Sequence, residues 1–389
     1  MPTFPQGAQD VVDAPGAQAA ARKLENAPEL AVDVEADAMH AFRARLCFLQ
    51  VGTDEDVFLF DTLQPGVEPS LLAPVMGDPG RTKFFHAASG DLPYLAEAGV
   101  RVRGLFDTHR AATLLGWPKV GLADLARERL GVELPKEHQQ SDFSLRPLPP
   151  GMRDYIANDV RYLVELGRQV REESRKAGIL EEVLLDCERM CDEAAARPDV
   201  GADFKPRLPK AGLTPAQMVL GNAIAHALHR KRLEWAEAEN VPMGRMLSNM
   251  AITDIAVKPP GTPKELARAA GVRGAFVRAH GDEVLALVRE LLEKSRRGEL
   301  KEEQAEQKGP RDANRRKREE ALKAWRSEKA AARKVTPSVV LPNPIFDTLV
   351  SRPPANLEEL GAVPYFGDKR VQLYGEELLT LFAQYPVQG

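Results

Sequence analysis

The chain predicts a mixed α/β domain with helices covering a sheet, followed by two small all-α domains, and three observations lead there. Strand-like and helix-like apolar patterns alternate from residue 26 to about 200, no convincing strand follows, and the helical half repeats its own landmarks. A length of 389 residues exceeds what one ordinary core organises, so two or three domains are expected. Residues 1–25 are rich in Ala, Gly, Pro and Gln without periodicity and read as a disordered tail. Residues 30–35 (Leu-Ala-Val-Asp-Val-Glu) then alternate as a strand, and residues 45–51 form a second apolar run. Residues 56–61 make a third, after a turn at 52–55. Residues 82–86 form a further short strand and 91–98 a helix. After Phe106, Asp107 and Thr108 the pattern is mainly helical to about 195.

Thr214 and Pro215 start a long helix, as cap and first-turn proline, and apolar positions continue at helical spacing to Trp235. Pro259-Pro260, Gly271 and Gly281 punctuate shorter helices after it. The same order of landmarks returns as Trp325, Pro337, Leu341, Phe346, Pro353-Pro354, Leu360 and Gly375. The expected boundaries are 26–200 for the α/β domain, 211–296 for the first helical copy, 297–315 for a charged linker and 316–389 for the second copy.

Composition narrows the function classes. The sequence is 43% hydrophobic and 28% charged, as in globular proteins, and no apolar run approaches the roughly 18 residues of a membrane helix. Asp10 and Asp13 interrupt any secretory pattern at the start, and the three cysteines form no disulfide or zinc framework. A cytoplasmic setting is the expectation, with no membrane and no protein partner implied. The net charge of −4 hides an asymmetry. Residues 1–200 carry 22 Lys/Arg against 33 Asp/Glu, so the remainder is net positive. An acidic body can host cations and a basic tail a polyanion, although two unrelated surfaces give the same numbers.

Asp33 and Glu35 stand two apart on a predicted strand and so share a face. Two carboxylates on a buried face repel unless a cation lies between them; on an edge strand they simply face water. Asp91 opens a helix, where an Asp is often only a cap. Tyr155 and Asp159, four apart on a helix, share a side of it.

In this order and at these separations the pieces resemble the tyrosine-bearing (DEDDy) branch of the DEDD exonucleases, and specifically the ribonuclease D family. The resemblance is carried by Val32 to Asp37, Leu46 to Gln50, and His86-Ala87 with Asp91. It continues through Phe106-Asp107-Thr108, Gln140-Ser141-Asp142 before Arg146-Pro147-Leu148, and Tyr155 to Leu163. It implies a ribonuclease-H-like fold and two magnesium or manganese ions held by Asp33, Glu35, Asp91 and Asp159. Oxygen ligands suit such hard cations. Tyr155 would orient the attacking water, being a poor base but a good hydrogen-bond partner. His40, His86 and Gln140 are the candidates here for touching nucleic acid. Val34 replaces a threonine common between the first two carboxylates, a change expected to affect packing only, because it points to the other face. Asp37 and Asp107 are read as structural.

Both helical copies resemble the HRDC domain, which implies auxiliary nucleic-acid binding. Residues 311–334 hold ten Arg/Lys against four acids, which suits phosphates, and Arg326, Lys369 and Arg370 are the candidates in the second copy. The ordinary alternative is a solvated helix face with internal ion pairs. Trp235 and Trp325 are read as core residues. The expected activity is 3′-5′ trimming of RNA with a single-stranded 3′ end, such as tRNA precursors. Attack on DNA 3′ ends, and binding without catalysis, are the alternatives.

Overall fold

The computed structural model describes residues 4–387 except 136, 139, 196, 198, 210 and 301–311. It divides into two units, one drawn from residues 1–36, 46–197 and 310–389 and the other from 37–45 and 198–309. No helix among the described residues is long and apolar enough to cross a membrane.

In the first unit six strands form one mixed sheet: β1 (Gln9–Val11), β2 (Glu29–Ala36), β3 (Leu46–Gly52), β4 (Val57–Asp61), β5 (Thr82–Phe85) and β6 (Leu105–Asp107). Their order is β1-β4-β3-β2-β5-β6. β3 runs antiparallel to both β2 and β4, and the other pairings are parallel. Four strands lie within two residues of their expected limits, whereas β6, with three residues, is too short to show a period. β2 is a central strand, so its Asp33 and Glu35 do not sit on a water-facing edge. The described residues of 131–151, a stretch expected to be mainly helical, are loop and turn.

The expected disordered tail is a correction. β1 pairs with β4, and the helix Ala14–Leu24, capped by Asp13 accepting from the Gly16 N–H at 2.8 Å, buries Ala17, Ala20 and Leu24. Alanine carries little hydrophobicity, so a real helical period stayed hidden in the composition. The helix Met152–Arg161 packs across β2, β3 and β4. Gly52 permits this approach: a Cβ there would stand 2.8 Å from the Val160 carbonyl oxygen.

Each helical copy has five helices in the same order. The first runs from Pro215–Ala238 through Asn249–Val257 to Gly274–Arg296, and the second from Arg315–Arg333 through Asn343–Ser351 to Asp368–Gln384. The tryptophans are equivalent: Trp235 Nε1 donates to Glu283 at 3.3 Å and Trp325 Nε1 to Glu377 at 2.8 Å, each packed on its own core. Most of the expected charged linker, 301–311, lies outside the described residues.

The second copy belongs to the same unit as the sheet. Glu182, buried on the helix Leu180–Glu193, accepts from Arg333 at 3.0 Å and Lys369 at 2.7 Å, and Tyr365 donates to Asp192 at 2.8 Å. Gly367 is needed here twice over. Its φ is +82°, and a Cβ would stand 2.5 Å from Leu185.

Candidate active site

The site begins with the pleat of β2. Val32 and Val34 are buried, while Asp33 and Glu35 point together to the face covered by the helix Met152–Arg161. Tyr155 and Asp159 come from that helix, one turn apart, and Asp91 from the start of the helix Leu92–Glu97. Carboxylate oxygens of Asp33, Glu35 and Asp159 all lie within 4.8 Å of one another. Asp91 stands outside that trio but adds its charge to the same field, raising the Glu35 pKa. Its side chain makes no capping hydrogen bond to its helix, so a mere cap is not its role.

The electrostatics are those of crowded, dehydrated acids. Burial raises the Asp33 pKa to about 7 against a bond from the Val34 N–H. Burial and the charges of Asp33, Asp159 and Asp91 push Glu35 up to about 10. Asp91 and Asp159 are raised as well, by burial first and by Asp33 next. The phenol of Tyr155 is held protonated by burial and the neighbouring Asp159. Its ring stacks on Phe143 (centroids 6.3 Å apart) and meets His138 edge-on.

These groups open on a cleft of about 330 Å³, lined by Asp33, Val34, Glu35, His86, Tyr155 and Asp159 with walls from residues 121–123 and 134–135. That is near the lower end for ligand pockets, roughly 300–1,000 Å³. Among the described residues no lysine or arginine lines it. Clustered oxygen donors fit hard divalent cations. A buried amide on the same sheet face, Gln50, has no partner at either Oε1 or Nε2, which also suits a site completed from outside the chain.

Val34 is buried, as a packing position should be, but it also lines the cleft, so it is not confined to the other face as expected. His86 lines the cleft with its Nδ1 2.9 Å from Thr108 Oγ1, and burial keeps its imidazole neutral, with a pKa lowered to about 3. His40, in the segment 37–45, and Gln140, exposed in a turn, are not among the lining residues. Asp107 is structural as expected: it caps the helix Thr108–Leu114 and accepts from the N–H groups of Ala87, Ala88 and Arg110. Asp37 closes a turn by accepting from Arg45.

The three basic candidates of the second copy need correction. Arg370 is buried and donates to the carbonyls of Val339, Val340, Tyr365 and Phe366. Lys369 is committed to Glu182 and the Gly178 carbonyl, and Arg326 to Pro337 O and Asn343. Each satisfies an acceptor within its own unit rather than standing ready for a phosphate. The walls at 121–123 and 134–135 were not foreseen: the first is the start of the helix Leu122–Leu130 and the second a loop, which carries no periodic signal.

Comparison with known proteins bears on the same two parts of the chain. A family profile described as 3′-5′ exonuclease matches residues 9–174, and the HRDC domain profile matches twice, at 221–288 and 315–381. An exonuclease domain is thus followed by two HRDC domains, the organisation expected from the resemblance to ribonuclease D. A ribonuclease D of Gluconacetobacter diazotrophicus is 29% identical over 369 residues, 92% of this chain and 88% of that one. Exosome complex component 10 of Rattus norvegicus is 35% identical over 157 residues, covering 40% of this chain but only 18% of that protein. The crystal structure of Escherichia coli RNase D, described as an exoribonuclease involved in structured RNA processing, superposes with a TM-score of 0.67. At 24% identity, covering 98% of this chain and 100% of the other, it carries the fold. The exonuclease profile and the ribonuclease D relatives together support a hydrolytic 3′-5′ exoribonuclease.

Proposed function

We propose that this enzyme removes nucleotides from single-stranded 3′ ends of structured RNA, tRNA precursors among them. Two magnesium or manganese ions would be held by Asp33, Glu35, Asp91 and Asp159. What carries the reading is the set of three carboxylates within 4.8 Å of one another in a cleft that, among the described residues, no lysine or arginine lines. Bound there, such ions lower the pKa of an attacking water and offset charge on the leaving oxygen. Tyr155, kept protonated, hydrogen-bonds that water and sets its direction toward the terminal phosphate. His86, neutral at physiological pH, contacts the terminal nucleotide without adding charge. The cleft's small volume limits entry to an end that is unpaired.

The test is an RNA labelled at its 5′ end, incubated with magnesium and the wild-type or Asp33→Ala chain. Stepwise shortening from the 3′ end by wild type alone is expected, and undiminished degradation by the variant overturns the assignment. Matched RNA and DNA oligonucleotides, run side by side, decide the substrate class.

A further inference from the structure

Gln50 is the polar exception in β3, whose other central residues, Cys47, Phe48, Leu49 and Val51, are apolar and buried. It pairs directly with Asp33 of β2. Opposed residues of an antiparallel pair share a face, with Cβ atoms roughly 4.5–5.5 Å apart. Gly52, two residues along, shares that face too, and the Val160 carbonyl of the helix Met152–Arg161 lies over it. The Gln50 amide is therefore enclosed beside Asp33, beneath the helix that carries Tyr155 and Asp159.

Gln50 is 0% exposed, and neither its Oε1 nor its Nε2 has a hydrogen-bond partner. Such a group costs the fold free energy that an apolar side chain of the same length would not. The amide becomes useful once Asp33 is a ligand. A carboxylate that gives one oxygen to a cation needs a donor for the other, and donors of this kind fix ligand orientation and tune affinity.

We propose that Gln50 is a positioning residue for the cation site, its Nε2–H donating to the Asp33 oxygen that does not face the cation. This rests on Asp33 being a cation ligand, and the experiment separates the two. Manganese binding to the full-length wild-type chain is measured first by calorimetry; no binding sinks the ligand assignment itself. With binding established, Gln50→Met is expected to weaken manganese affinity about tenfold to a hundredfold. Its melting temperature in EDTA should equal or exceed that of wild type. On RNA, kcat should fall while KM stays unchanged. Wild-type manganese affinity in a folded Gln50→Met chain overturns the proposal. If that variant does not fold, Gln50→Leu is measured in the same way. Loss of fold in both assigns Gln50 to packing and equally overturns the proposal.

Discussion

Replacing Asp33 by asparagine should stabilise the protein when cations are withheld. In the metal-free fold the Asp33 pKa rises from 3.8 to about 7, chiefly because burial disfavours its charge. The unfolded chain releases this proton near the ordinary value, so the folded state binds more protons between those limits. Stability therefore falls as pH rises through that window and is lowest above it. A shift of about three units at 1.36 kcal/mol each amounts to about 4 kcal/mol at pH 8. Asparagine has the same shape, can still accept from the Val34 N–H and carries no charge. For a unit of this size the gain is a rise in melting temperature of about 10 °C. The assay is calorimetric melting of both chains in EDTA at pH 4 and pH 8. The variant should melt higher at pH 8, with the gap closing at pH 4. Saturating manganese should then raise wild type, by about 2.7 kcal/mol at a hundred times Kd, and leave the variant nearly unmoved. Equal melting of the two chains at both pH values, or a lower melting variant at pH 8, would refute the reasoning that these acids burden the fold.

Cation binding must also expel protons from Asp33 and Glu35, whose pKa values lie near 7 and 10 in the metal-free chain. Apparent manganese affinity should accordingly rise from pH 6 to pH 8, and calorimetry in two buffers of different ionisation enthalpy should detect released protons; a pH-independent affinity contradicts this. Tyr155→Phe keeps the ring stacked on Phe143 but loses the hydroxyl. Single-turnover rates should drop by about a hundredfold without a change in melting temperature, and an unchanged rate would leave Tyr155 only a packing role. Asp159→Asn should reduce kcat roughly a thousandfold, about 4 kcal/mol of barrier, while RNA affinity by fluorescence anisotropy stays within a few fold of wild type. Lys369→Ala removes one of two cations from buried Glu182 and should cost about 1–3 kcal/mol of stability. The salt dependence of RNA binding should not change; a shallower salt slope would restore Lys369 as a phosphate contact.

The sequence alone determined what depends on near neighbours. A period of two placed Asp33 and Glu35 on one face of a strand, a period of 3.6 placed Tyr155 with Asp159 on one helix, and the recurring landmarks exposed the duplicated helical module. Only the tertiary structure decided which distant segments meet. The order β4-β3-β2-β5 puts the carboxylate strand at the centre of the sheet, and Gly52 lets the helix bearing Asp159 close over it. Composition misled where chemistry is ambiguous. An arginine satisfies a buried carbonyl as readily as a phosphate, so Arg370 read as a nucleic-acid contact until its surroundings were visible. An alanine-rich segment likewise read as loose until β1 and its helix had a sheet to pack against. Burial is a property of the whole fold, and it decides which side chains remain available for chemistry.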